Sequence, residues 1–429
     1  MPLIVGYRPQ APLLYTDAGA VSQAAFLAQA GRVAAALPES RYVLNLCESR
    51  RNFALGFAAA LMRGQASLLP PDRVAATVAA IRQSYGDSHV LADADVEAAL
   101  RGIAEASAWM GEPPAVPCGQ LAALPFTSGS TGAPVPHEKT WGGLVTHAAL
   151  LSERLGFAGA HIAATVPPQH TYGLETSVIA ALAGGAAVHC ARPFFPQDLD
   201  GVLRALPSPR LLVTTPVHLR ALVQAQPPLP PLARIISATA PLPAGLAAEA
   251  EQRLGTAVYE IYGSTESGAV ATRRTVDGEL WQPLPGVNLR ADPGGALATG
   301  PHLAGTVRLA DIIEEAADGH VRLLGRSGDM LKVAGKRMSL AELNRLLLAI
   351  PGVEDGVVFM PGMTGGGEAV ERPAAVVVAP ELSERQILDA LRRSVDPAFL
   401  PRPLRRVAGL PRNAVGKVPR AALLELMRG

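Results

Sequence analysis

The sequence has little cysteine, no excess of either charge and no uninterrupted apolar run of membrane-spanning length. Its three cysteines, Cys47, Cys118 and Cys190, are far apart in 429 residues. Their spacing matches no metal site or disulfide framework, so they are expected as small buried apolar residues. Lys and Arg total 38 against 37 Asp and Glu, a net charge of +1. That balance argues against a nucleic-acid footprint, which is basic, and against an acidic disordered chain. The longest charge-poor apolar stretch, TSVIAALAGGAAVHCA, is shorter than the ~18 residues of a spanning helix and is broken by Gly184-Gly185. A helix, a turn and a buried strand are expected there, and no integral membrane segment. The N-terminus lacks the basic and apolar regions of a signal peptide, so the expected location is cytoplasmic. There is no internal repeat and no low-complexity tract.

What is present is a globular composition, 49% hydrophobic and 17% charged. The length suggests about two to three domains or subdomains. Up to about residue 255, Ala/Leu-rich helical segments such as SQAAFLAQAGRVAAALP alternate with continuous apolar runs: YVLNLC, HIAATVP, AAVHCA, RLLVTT and ARIISAT. Continuous runs suit strands buried on both faces, so the pattern predicts α/β layers around parallel sheets. Short Gly- and Pro-punctuated strands follow, a small β-rich part. Beyond GRSGD at 325–329 the chain reads as a compact α+β piece of about 100 residues. The expected division is 1–327 and 328–429.

The hexapeptide Thr127-Ser128-Gly129-Ser130-Thr131-Gly132 follows an apolar run. Its glycines allow close backbone approach, and its hydroxyls add donors, so it can hold phosphate. It can equally be an ordinary polar turn. It is no Walker loop: Gly132 is followed by Ala133-Pro134-Val135 rather than by lysine, and Pro134 and Pro136 prevent an immediate helix. The next helix is expected after Thr140, a suitable N-cap. No trustworthy G-x-G-x-x-G follows a strand, which removes the nicotinamide dehydrogenase reading.

Four further segments follow in order: IYGSTES (261–267), VRLAD ending at Asp311, GRSGDMLKVAGKRMSLAELN (325–344) and LPRNAVGKVPRAAL (410–423). Singly, Glu266 can be a strand-end charge, Asp311 a cap and Lys417 a solvated lysine. Together with the hexapeptide, the set resembles the adenylate-forming superfamily of acyl-CoA synthetases, adenylation domains and luciferase, from about residue 40 to the end. Within it, the short chain, NLCESRRNFALGFAAALMRGQASLLPP and TSGSTGAPVPHEKTW resemble the compact ligases that prime aryl-polyene or xanthomonadin-type pigment pathways.

The resemblance implies that ATP and a carboxylic acid, aromatic in this subgroup, give an acyl-AMP and pyrophosphate. The acyl group then passes to a phosphopantetheine thiol of an acyl carrier protein or CoA. It implies that Thr127, Ser128, Gly129, Ser130, Thr131 and Gly132 hold the outer phosphates, Glu266 holds Mg²⁺ and Thr265 donates to the α-phosphate. Tyr262 would lie along the adenine, with Ser237, Ala238 and Gly263 beside it. Asp311 and Arg326 would take the ribose. Lys417 would bridge the reacting carboxylate and α-phosphate from a mobile C-terminal domain that swings about Gly328 and Asp329. The acid pocket would use His170, Tyr172 and Gly173 from PPQHTYGLE, with small Ala238 and Gly263 leaving room for a ring.

Two departures accompany the resemblance. The usual lysine is Val135, with Lys139 or His137 the expected substitute. The usual hinge acid is Gly328, with Asp329 next to it. They motivate a competing reading as a degenerate nucleotide-binding or scaffold protein. A fatty-acyl-CoA ligase is the alternative within the same chemistry. The sequence does not indicate an oligomeric state.

Overall fold

The computed structural model describes residues 1–101, 108–128, 134–326, 330–333, 336–361, 372–412 and 418–428. The apolar runs become the centres of two sheets. In the eleven-stranded sheet, Pro12–Thr16, Ala187–His189, His161–Ala164, Arg210–Thr214, Arg234–Ser237 and Val258–Ser264 lie side by side and parallel. Antiparallel strands complete both edges: Gly19–Ser22 on one side, and Gly268–Arg274, Leu280–Pro283, Val321–Arg326 and Asp311–Glu315 on the other. The N-terminal hairpin lies before residue 40, so the fold begins earlier than the resemblance did.

The six-stranded sheet has Ser88–Leu91, Tyr42–Asn45, Ala66–Leu69 and Leu121–Ser128 in parallel. Pro134–Pro136 and Lys139–Thr140 then fold back antiparallel onto Leu121–Ser128. The intervening hexapeptide positions Gly129, Ser130, Thr131 and Gly132 lie outside the described residues.

Helix ends follow local chemistry. Thr140 Oγ1 accepts from Gly143 N at 3.2 Å and starts Trp141–Leu155; Gly156, with φ +72°, ends it. Ser22 and Ser49 cap Gln23–Ala36 and Arg50–Met62 in the same way. Phe53, Phe57, Trp141 and Phe157 are fully buried in a core that joins the layers of both sheets. Each such side chain stabilises the fold by roughly 1.5–3 kcal/mol.

Arg50, first residue of its helix, crosses between the sheets. Its Nη1 donates to His189 O and Ala191 O, each at 3.0 Å. Its Nη2 donates to Ala164 O at 3.0 Å and Val166 O at 2.6 Å. Burial lowers its pKa to about 10, and among the described residues the guanidinium has carbonyls rather than a carboxylate as partners. It thereby pins the carboxyl ends of two parallel strands.

A three-stranded sheet of Asn288–Asp292, Gly295–Thr299 and Val307–Leu309 forms the small β-rich part. The small C-terminal domain has its own sheet of Asp355–Phe359, Ala374–Val378 and Leu404–Arg406, with helices Leu340–Leu348 and Glu384–Leu391. Leu343, Leu347, Val377 and Ile387 form its separate core. The expected hinge residues Gly328 and Asp329, and Lys417, lie outside the described residues.

Two expectations change. Asp311 does not end an apolar strand: that strand stops at Leu309, and Asp311 opens the next one, because Ala310 bends the chain from one sheet to another. Of the three cysteines only Cys47 is fully buried; Cys118 is exposed in the turn before Leu121–Ser128.

Candidate functional site

The named residues gather at the carboxyl ends of the parallel strands, where open α/β sheets bind ligands. Thr127 closes Leu121–Ser128, Pro167–Gly173 follows His161–Ala164, Ala238 follows Arg234–Ser237, and Thr265 and Glu266 follow Val258–Ser264.

The stem of the phosphate loop is a clasped hairpin. Thr127 pairs in register with Val135, and Thr127 Oγ1 lies 2.9 Å from His137 Nε2. Burial is the main cause of a lowered His137 pKa, so this ring is a poor substitute cation. Val135 is 43% exposed and offers the loop no charge. Lys139 comes off the strand beside it, its backbone opposite Ala123, and its Nζ donates to Glu266 O at 2.9 Å. Burial lowers the Lys139 pKa, opposed by the Glu175 and Glu266 carboxylates.

Glu266 sits in the tight turn between Val258–Ser264 and Gly268–Arg274. Burial alone would raise its pKa. Its own backbone N–H, the Ser264 hydroxyl, His137 and Lys139 outweigh this and hold it below the ordinary carboxylate value. The side chain is exposed, ionised at neutral pH and open to a cation. Ser264 and Ser267 close the turn, with Ser264 N donating to Ser267 Oγ and Ser267 N donating to Ser264 Oγ, both at 3.2 Å.

The nucleotide candidates stand on the strand leading into this turn, which carries Tyr262, and on the two edge strands of the same sheet, which carry Asp311 and Arg326. Asp311 and Arg326 are register partners, with Nε 3.4 Å from Oδ1. Tyr262 is buried, its ring 5.7 Å from that of Trp281. Burial first, and the Asp311 carboxylate second, raise the Tyr262 pKa, so it stays a neutral phenol. Its hydroxyl faces the Asp311 carboxylate, whose charge and hydrogen bonding both favour the neutral phenol. The phenol thereby orients the Asp311 carboxylate at the edge of the sheet.

Ser237 Oγ and Thr239 Oγ1 are buried without partners among the described residues. Thr239 also has φ +80°, a strained conformation for a β-branched residue. Such strain collects at functional sites. Thr239 was not singled out from sequence, because only the backbone reveals it. Ala238 is 7% exposed beside it.

In the expected acid pocket, His170 is half-buried. The Tyr172 hydroxyl donates to Thr214 O at 3.1 Å and Ile236 O at 3.0 Å, bridging the ends of two parallel strands. A Cβ on Gly173 would stand 2.0 Å from Pro167 O, and one on Gly263 would stand 2.1 Å from Gly268 O. At Gly263, expected with Ala238 to leave room for a ring, the direction a side chain would take is therefore filled by backbone. Gly263 lies at the bulge where its strand presses on Gly268–Arg274.

A polar layer that the sequence reading missed supports the Glu266 turn. Glu175 is 4% exposed, with Oε1 3.4 Å from His147 Nδ1. Burial would raise the Glu175 pKa, but His147, Lys139 and His302 together lower it, so it is ionised. His147 stacks on His302 with ring centroids 4.6 Å apart. No short motif links these residues, since they come from three separate segments. Among the described residues no group of three or more His, Cys, Asp or Glu is placed to hold a metal.

The AMP-binding enzyme family matches residues 17–297. A 4-coumarate–CoA ligase of Rhodobacter capsulatus is 31% identical over 237 residues, 53% of this chain and 58% of that protein. A "Probable 2-succinylbenzoate--CoA ligase" of Mycobacterium tuberculosis is 28% identical over 337 residues, 72% of this chain and 85% of that protein. The chain thus spans somewhat over half of the first relative and most of the second. Among solved structures, o-succinylbenzoate CoA synthetase from Bacillus subtilis, bound to its acyl-adenylate intermediate, superposes with a TM-score of 0.81 at 19% identity, covering 96% of this chain and 94% of that one. The chain belongs to the AMP-binding enzyme family and shares the fold and sequence features of its AMP-forming acid–thiol ligases.

Proposed function

We propose that the protein joins an aromatic carboxylic acid, such as a hydroxybenzoate or cinnamate, to ATP as an acyl-AMP. It then transfers the acyl group to the phosphopantetheine thiol of an acyl carrier protein or CoA. The observation that carries this reading is the ionised, exposed Glu266 on a tight turn, flanked by the Tyr262, Asp311 and Arg326 set. The carboxylate for the phosphate end follows Val258–Ser264, and the Asp311–Arg326 pair for a ribose stands on the two edge strands of the same sheet, with Tyr262 of Val258–Ser264 facing Asp311.

In the first step the acid's carboxylate oxygen bonds to the α-phosphorus. The bond from that phosphorus to the bridging oxygen breaks, and pyrophosphate leaves with the electron pair. No proton moves, so positioning and charge stabilisation carry the catalysis. Asp311 accepts from the ribose hydroxyls and Arg326 donates to the ribose. Thr265 donates to the α-phosphate, and the loop from Thr127 to Gly132 holds the departing pyrophosphate. Lys417 supplies the cation at the reacting oxygens, carried by a C-terminal domain that begins at 328 and moves about Gly328 and Asp329. In the second step the thiol sulfur bonds to the acyl carbon, AMP leaves, and the thiol proton passes to solvent.

The single carboxylate at Glu266 suits Mg²⁺, which takes few protein ligands and completes its shell with phosphate and water. Bound there, the ion would neutralise phosphate charge.

The aromatic acid is supported by the names of the two curated relatives. The carrier-protein acceptor and a place in a pigment-type secondary pathway are supported by the short chain and the segment TSGSTGAPVPHEKTW. The three free cysteines are compatible with the cytoplasm.

The test is incubation with ATP, Mg²⁺, a panel of benzoates, cinnamates and fatty acids, and either CoA or a carrier protein. AMP release with an aromatic acid, and a matching thioester mass, are expected. Thioesters of fatty acids alone would overturn the substrate assignment, and AMP release independent of any acid would overturn the reaction.

A further inference from the structure

The chain uses lysine sparingly. Its 38 basic residues include four lysines, at 139, 332, 336 and 417. Arginine is the default cation, so each lysine marks a place where a compact ammonium replaces it. Lys139 is the one on the stem of the phosphate loop.

The turn that presents Glu266 is held through three of its carbonyls, each with a different basic partner. Lys139 Nζ meets Glu266 O at 2.9 Å. His302 Nε2 meets Ser267 O at 3.2 Å. His147 Nε2 meets Ala269 O at 3.1 Å. A carbonyl only accepts, so each of these nitrogens is the donor. Between them Gly268, with φ +68°, leaves no room for a side chain: a Cβ would stand 2.6 Å from Glu175 Oε1 and 3.1 Å from His147 Cε1. The turn is seated on the Glu175–His147 pair and tied at one end by Lys139.

We propose that Lys139 is a positioning residue that fixes the Glu266 turn against the phosphate-loop stem, so that the metal carboxylate and the stem meet the triphosphate in a fixed relation. Two structural units that meet the same ligand are otherwise separated by 127 positions. The strand register sets the lysine opposite Ala123, on the strand that leads to Thr127, while Val135 on the same hairpin is exposed with no charge to offer. The compact ammonium reaches the Glu266 carbonyl without a carboxylate within ion-pair distance among the described residues. Its nearest anions act on it at longer range, and Glu266 keeps its own carboxylate free for the cation.

This proposal rests on the ligase reading, and its test reads binding rather than turnover. Calorimetry on the full chain would measure the affinity of α,β-methylene-ATP with and without Mg²⁺, and of AMP as a control. In Lys139→Met, the Mg²⁺-dependent gain in affinity should fall by about tenfold, the scale of one hydrogen bond to a charged group. AMP affinity should stay within about twofold, since its ribose site is carried by other residues. Lys139→Arg keeps a donor in place and should recover part of the Mg²⁺ effect, which guards against a variant that simply folds poorly. An unchanged Mg²⁺ effect in Lys139→Met overturns the proposal, as does an equal loss of AMP affinity. Wild-type protein that binds neither nucleotide sinks the ligase reading as well.

Discussion

Asp311 and Arg326 face each other in register across two antiparallel strands, with Nε 3.4 Å from Oδ1. The arginine side chain is 60% exposed, and an ion pair so exposed adds about 0–1 kcal/mol to stability. The pair is therefore better placed to serve a ligand than to hold the fold. Asp311→Asn should leave the melting temperature within a few degrees of wild type. It should weaken AMP binding by about 10- to 100-fold, the range for hydrogen bonds to a charged group. Calorimetric AMP affinity beside a thermal melt checks this; a large melting shift with unchanged AMP affinity would contradict it.

Arg50 makes the opposite case. Its guanidinium is fully buried and satisfies four carbonyls at the ends of two strands. Arg50→Met would strand those carbonyls, at a cost of at least ~3 kcal/mol. The melting temperature should fall by about 4 °C or more, or little folded protein should be recovered. Arg50→Lys, with a charge but a smaller fork of donors, should fall between. A methionine variant as stable as wild type would show that the bridge contributes nothing.

The helices, parallel strands and caps were legible because local chemistry decides them. Thr140 caps its helix, Gly64 follows the end of another with φ +71°, and RLLVT and RIIS are strands buried among strands. The segments carrying Thr127, Ala238, Glu266 and Asp311 were legible as motifs. Their supports were not. Glu175, His147 and His302 meet only after three distant segments have packed together, and each alone looks like a stray polar residue. One glycine misled in a specific way: Gly263 suggested room for a ring, whereas it lets backbone approach backbone. Asp311 was misplaced in its strand because the bend at Ala310 leaves no Gly or Pro signal.

His302 supplies a pH prediction. Burial, and secondly His147, lower its pKa to about 4. In the unfolded chain a histidine takes up its proton near pH ~6.5. Between those values the unfolded state binds more proton, so stability falls as the pH falls from about 6.5 toward 4. The effect has an upper limit of roughly 3 kcal/mol. His302→Asn lacks this titration, so its melting temperature should decline less steeply than wild type across that window. Parallel declines would contradict the assignment.

The account stands or falls on adenylate formation. Acid-dependent exchange of labelled pyrophosphate into ATP measures that step alone, without any thiol acceptor. The prediction is exchange above background with at least one benzoate, hydroxybenzoate or cinnamate, lost in Glu266→Gln while that variant still binds AMP. No exchange with any aromatic or fatty acid, from a folded protein that binds ATP, would contradict it and favour a nucleotide-binding protein without ligase activity.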